Sequence, residues 1–170
     1  DKLAYEIASK TFKNKIIRQV DDNYLIAQLA NINKNPTEEN TLLYITEPSR
    51  NNWGKSEPGE FQALNYLLDN LHKIANPSLI KIILRPHPSD NQHKFDGWIK
   101  SNPQQKIIVD NPTSLSASIS KAKWVAGCES YALAVALAAG RTVYCALPPW
   151  APACRLPHNG ILHFKNNIGL

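Results

Sequence analysis

Residues Ile80–Asp90 read I-K-I-I-L-R-P-H-P-S-D. Ile80, Ile82, Ile83 and Leu84 form an apolar, mostly β-branched run, which predicts a strand buried on both faces of a parallel sheet. Pro86 and Pro88 end the strand, because neither can donate to a ladder and each restricts the residue before it. Arg85 and His87 are thereby held at a strand's carboxyl end, where open α/β sheets take their ligands. A stiff turn presenting a guanidinium and an imidazole suits a phosphate. The same residues also suit a tight turn whose histidine caps a neighbouring helix.

Strand and helix patterns alternate on both sides of this segment. Leu42–Thr46 reads as a strand, followed by a polar loop, Glu47–Pro58. Gly59–Ala75 reads as an amphipathic helix with Phe61, Leu64, Leu67, Leu68 and Leu71 on its buried stripe. Beyond the Ile80–Arg85 strand, the expected elements are a helix over His93–Ser101, a strand over Lys106–Asp110 and a helix over Thr113–Ala122. A strand follows at Trp124–Ala126, then an alanine-rich helix, Ser130–Ala139, ended by Gly140. The last expected strand, Thr142–Leu147, stops at Pro148-Pro149. This alternation with short connections predicts an α/β fold, a Rossmann-like parallel sheet with helices on both faces, over residues 41–170.

Residues 1–40 form a leader or the end of a preceding domain. Asp1–Phe12 has helical spacing, with Leu3, Ile7 and Ala8 on one face and Phe12 one turn on. Lys15–Asn31 fits either a strand pair or a helix, and Asn33–Asn40 reads as a linker. The chain begins at Asp1 and contains no methionine, so it is expected to be an excised or processed piece with a second domain missing.

Composition narrows the class. The chain has 170 residues, 43% hydrophobic and 19% charged, which suits one globular domain with a sizeable core. No apolar run reaches the roughly 18 residues of a membrane span, and no signal peptide is recognisable. Cys128, Cys145 and Cys154 lack CxxC spacing and are odd in number, so buried reduced thiols are expected. The net charge of +5 favours anionic ligands. The basic residues are scattered, and no Walker loop, zinc finger or RNA-recognition signature is present, which argues against nucleic acid. No GxSxG elbow or GxGxxG turn occurs, and His158 and His163 lack paired carboxylates nearby, so no metal site is expected.

The carboxyl ends of the strands share one rim of the sheet. Besides Arg85, His87, Pro88 and Ser89, that rim carries Glu47-Pro48-Ser49-Arg50, Asp110–Ser114 and Gly127-Cys128-Glu129-Ser130-Tyr131. Ser130 and Tyr131 open a helix whose free amides and dipole attract an anion. Glu129 either stabilises that helix start or accepts hydrogen bonds from ribose hydroxyls. The stretch Asp110-Asn111-Pro112-Thr113-Ser114 either forms a turn and helix cap, with Thr113-Ser114 opening the helix, or presents backbone groups to a nucleobase edge. Trp150, in the proline-rich tail, is either a stacking platform or a packed surface tryptophan.

Over residues 41–164, His87-Pro88 after its strand and the Gly-x-Glu-Ser turn at Gly127–Ser130 with its alanine-rich helix resemble the carboxyl-terminal half of GT-B glycosyltransferases. The likeness is to bacterial capsule and lipopolysaccharide enzymes that use CMP-activated sialic acid or Kdo. The resemblance implies a metal-independent, inverting transfer without a cofactor, from a CMP-linked donor to a glycan or glycolipid acceptor. It implies that His87 contacts the nucleotide phosphate; the rim reading adds Arg85, Pro88, Ser89, Thr113, Ser114, Glu129, Ser130 and Tyr131 as expected donor-site residues. It further implies an amino-terminal GT-B domain supplying an acidic base, which Asp21-Asp22 does not match in context. A cytoplasmic location with peripheral contact to the inner membrane goes with such acceptors. The same pattern fits other GT-B enzymes, namely UDP-sugar transferases, 2-epimerases or glycerophosphotransferases, and a non-catalytic Rossmann-like module.

Overall fold

The computed structural model describes residues 2–48, 51–91, 93–110 and 114–166. Twelve main elements follow in order: α1 (Lys2–Thr11), α2 (Asn23–Ala30), β1 (Glu38–Ile45), α3 (Gly59–Asn70), β2 (Lys81–Arg85), α4 (Asp96–Lys100), β3 (Lys106–Val109), α5 (Leu115–Lys121), β4 (Ala122–Gly127), α6 (Tyr131–Ala138), β5 (Thr142–Cys145) and β6 (Leu162–His163). All strand pairings are parallel, and the order across the sheet is β3-β2-β1-β4-β5-β6. This is the Rossmann strand order, in which the chain reverses its direction of travel between β1 and β4.

The period of two along each strand sorts the core into two layers. Leu42, Tyr44, Ile82, Leu84, Trp124, Ala126 and Tyr144 face α3 and α4, where Leu64, Leu67, Leu71, Phe95 and Trp98 meet them. Leu43, Ile83, Val125 and Val143 face the opposite way, onto Ile119 of α5 and Leu133, Val135 and Ala136 of α6. With both sides covered, the strands must be apolar at nearly every position, as the Ile80–Leu84 run is.

Most expected elements are present, with ends that shift for identifiable reasons. α3 gives way at Asn70 to a 3-10 turn over Leu71–Lys73. α4 is shorter than expected, and His93 instead bonds Asp96 at 2.9 Å just ahead of it. β1 begins at Glu38, so the last residues of the expected linker are strand. Thr41 donates to Glu38 there, and Lys81 closes an ion pair with the same carboxylate.

The ambiguous stretch Lys15–Asn31 contains a helix, α2, capped by Asp22 accepting from Leu25 N–H at 2.9 Å. Its Leu25 packs into the layer beneath α5 and α6. Arg141, buried, then ties down the following turn by donating to Asn33 and Lys34 carbonyls at 2.6 and 2.8 Å. α1 forms at the expected place but buries none of its residues.

The tail contributes β6, a strand the sequence reading did not contain. Phe164, just past it, is fully buried and lies flat on Tyr144 with centroids 5.0 Å apart. Among the described residues, no helix is long and apolar enough to cross a membrane.

Candidate functional site

The ends of β2, β1 and β4 lie side by side on the rim. Thr46 N–H donates to Arg85 O at 3.0 Å, carrying the β1–β2 pairing one step past the strands. On the other side Ile45 is level with Gly127. Glu47, His87 and Glu129 leave the sheet immediately beyond these points.

The His-Pro turn is braced from three directions. His87 N–H donates to Thr46 Oγ1 at 2.9 Å and to Asp90 Oδ2 at 3.0 Å, and Asp90 N–H closes back onto His87 O at 2.8 Å. Lys94 holds Asp90 Oδ1 at 2.6 Å and reaches Glu60 on α3 at 2.6 Å. On the ring, Nδ1 accepts Ser89 N–H at 3.2 Å and lies 2.7 Å from the Ser89 hydroxyl. A nitrogen that accepts carries no proton, so the neutral imidazole has its hydrogen on Nε2. His87 is exposed, and Nε2–H is the donor it offers a ligand.

Arg85 turns inward instead. Its Nη1 donates to Asp110 Oδ2 at 2.9 Å and to Ser118 Oγ at 2.7 Å, and Ser118 also bonds Asp110. This ties the end of β2 to the end of β3 and to α5. Where the sequence pattern offers this guanidinium to a phosphate, its contacts brace the turn.

A cleft of about 270 Å³ opens between the β1 and β4 ends, lined by Glu47, Asn51, Trp53, Cys128, Glu129, Leu147, Pro152 and Arg155. It occupies the topological switch point, where this fold class binds its ligands. Glu47 Oε2 accepts Glu129 N–H at 3.0 Å. Arg155 binds the Glu129 carboxylate through Nε, at 3.1 Å from each oxygen, through Nη2, and through its backbone N–H at 3.1 Å. Trp53 adopts a left-handed backbone, φ 46°, uncommon for a bulky side chain, and its ring covers Gly59 where a Cβ would come within 2.7 Å.

The two carboxyls differ in their surroundings. The Arg155 fork holds Glu129 below the usual carboxylate range. Burial pushes Glu47 up, helped by the Glu129 charge and opposed by Glu129 N–H, Arg155 and His87. Burial also raises the Cys128 thiol well above its ordinary value, and it lines the cleft as a small buried group. Cys145, also buried, is pushed up to about 12.

The raised Glu47 fixes a sign for pH dependence. The folded protein holds this proton more tightly than the unfolded chain, so stability falls as pH rises from the ordinary carboxylate range through the raised value. Glu47→Gln keeps an oxygen for Glu129 N–H and removes the charge. It is expected to raise the melting temperature at pH 7 and to leave it unchanged well below pH 4, as calorimetric scans at the two values would show.

Other rim residues have local duties. Ser130 caps α6, its Oγ accepting Ala132 N–H at 3.3 Å, and its carbonyl accepts Leu133 N–H at 2.9 Å. Fewer of that helix's amides are therefore open than its sequence suggests; those of Ser130 and Tyr131 find no acceptor among the described residues. The Tyr131 side chain leaves the rim, its hydroxyl donating to Asp22 and its ring 6.3 Å from Tyr24, and that bond lifts the phenol to about 12.

Ser114 caps α5 through Ala117 N–H at 3.2 Å and does not line the cleft. Pro88 and Ser89 are exposed in the His87 turn. Thr113, with Ser49, Arg50, Asn111 and Pro112, lies outside the described residues. Trp150 donates to Gln62 at 2.6 Å beneath the Lys55 ammonium, which is the packed surface role.

Glu47, Trp53 and Arg155 had no role in the sequence reading. Glu47 was legible only as a rim residue, and Arg155 only as one cation in a proline-rich tail. Among the described residues no group of three His, Cys, Asp or Glu side chains is placed to hold a metal ion. Neither a protein-family profile nor a curated protein sequence matches this chain.

Proposed function

We propose that this chain is the donor-binding half of a GT-B-type glycosyltransferase that takes a CMP-activated sugar of the sialic acid or Kdo kind. The acceptor is a glycan or glycolipid of a bacterial surface polysaccharide, presented by an amino-terminal domain across the cleft. The observation that carries the reading is the His87 ring, held with Nε2–H free beside a cleft at the Rossmann switch point. A nucleotide in that cleft would lie along the β1 and β4 ends with its phosphate toward the β2 end.

The proposed chemistry follows from the charges. As the bond from the anomeric carbon to the phosphate oxygen breaks, CMP gains negative charge and the sugar becomes oxocarbenium-like. His87 Nε2–H and the open amides of Ser130 and Tyr131 are donors fixed before that charge develops, which is how preorganised groups lower a barrier. No metal is called on for this step. The proton of the acceptor hydroxyl goes to an acidic base on the amino-terminal domain. Arg85 acts as a positioning residue, anchoring the strand end that carries His87.

Calorimetric titration with CMP, UDP and GDP tests the reading. CMP is expected to bind best, and His87→Ala to weaken it by about 1.5–3 kcal/mol, roughly 10- to 150-fold, the range for a hydrogen bond to a charged group. A preference for UDP would keep the fold and transfer the site to another class of GT-B enzyme. Absence of binding by all three would remove the proposal.

A further inference from the structure

Resting on the nucleotide reading of the same cleft, we infer that the Glu129–Arg155 ion pair is a latch, which the ligand's phosphate opens by drawing the Arg155 guanidinium off Glu129. Both Glu129 oxygens are engaged by Arg155, so the carboxylate's acceptors are aimed at a cation. The sites that Nε and Nη2 fill become available to a pair of ribose hydroxyls when the guanidinium moves.

That movement is easy. The Arg155 side chain is 85% exposed, and an ion pair so open to water contributes little to stability. Its other end is fixed: Ala151, Cys154 and Leu156 of the same segment pack on the core. The side chain can therefore swing without the loop moving.

Charge makes the swing necessary. Glu47 and Glu129 face one cleft, and Arg155 is the cation among its described lining residues. A phosphate entering without it would be a third anionic group at close range. A phosphate that takes the guanidinium gains a bidentate, charge-assisted partner, which a point charge could not replace. Glu129 stays aimed meanwhile, because Arg155 N–H still holds Oε2 and the Glu129 N–H still rests on Glu47. Phosphate capture and ribose capture are thus one event, and a nucleoside without phosphate leaves the latch shut.

Titration of wild type, Arg155→Ala, Arg155→Lys and Glu129→Gln with cytidine and with CMP tests this. Arg155→Ala is expected to weaken CMP by about tenfold or more, the scale of losing a bidentate charged contact. It should leave cytidine binding equal or tighter, since Glu129 is then unlatched. Arg155→Lys should fall between, and Glu129→Gln should weaken both ligands. An Arg155→Ala protein that binds CMP like wild type, or that loses cytidine and CMP equally, overturns the latch while leaving the nucleotide assignment standing. Arg155-dependent binding of UMP or GMP in place of CMP supports the latch and removes the CMP assignment. Failure of wild type to bind any of them overturns both.

Discussion

Replacing Asp110 with alanine is expected to destabilise the fold by about 3–5 kcal/mol, the cost of breaking a buried ion pair from one side. Asp110 is 3% exposed in its side chain and its partner Arg85 is 17% exposed. Removing the carboxylate takes away the anion that Arg85 and Ser118 both address. Urea unfolding measures the loss directly. The double variant Arg85→Met, Asp110→Leu should recover most of it, because two apolar side chains of similar volume need no partner. Because Asp110 N–H also pairs with Leu84 O at 2.7 Å, the same variant separates a backbone contribution, which survives, from a side-chain one, which does not. A single variant within about 0.5 kcal/mol of wild type, the range of ordinary surface changes, would show that the pair braces nothing.

Gly127→Ala is expected to cost about 1–3 kcal/mol through overpacking and to weaken the proposed CMP binding as well. An added Cβ would sit 2.9 Å from Ile45 O and 3.3 Å from a Leu133 methyl. The carbonyl cannot retreat without parting β1 from β4, since Ile45 and Gly127 are register partners at the mouth of the cleft. Cys128 and Glu129 follow directly, so the shift is transmitted to the ligand-facing groups. Gly97→Ala is the matched control, with nothing within 4 Å of the added carbon in a helix that prefers alanine. Equal behaviour of the two variants, by thermal unfolding and by CMP titration, would contradict a steric role for Gly127.

How far the sequence reaches differs between fold and site. The apolar runs at Leu42–Ile45, Ile80–Leu84 and Trp124–Ala126 announce doubly covered strands, because burial on both faces leaves no polar alternate to blur the pattern. The position of the cleft needs the strand order, which no local pattern carries. α2 was ambiguous because Tyr24–Leu29 is apolar but for Gln28 and fits either period. β6 escaped notice because two residues, Leu162 and His163, are too few for any period to appear.

Within the site, His87 was legible from its prolines. Ser130 was legible from its cap position. The partners that decide each residue's role lie far along the chain: Asp110 is 25 residues from Arg85, Arg155 is 26 from Glu129, and Asp22 is 109 from Tyr131. These pairings leave Arg85 and Tyr131 out of the cleft lining and bring Arg155 into it. Sequence reading had weighted them the other way, since an exposed-looking arginine beside a His-Pro turn carries no sign of a buried aspartate elsewhere.

The side-chain ¹⁵N spectrum of His87, followed through a CMP titration at pH 8, shows whether Nε2–H is the donor that meets the nucleotide. The free protein is expected to show His87 with its proton on Nε2, and Nε2 to shift saturably as CMP binds while Nδ1 keeps its Ser89 partner. A ring protonated on Nδ1 at the outset, or a His87 signal that stays put while CMP saturates the protein, would contradict it.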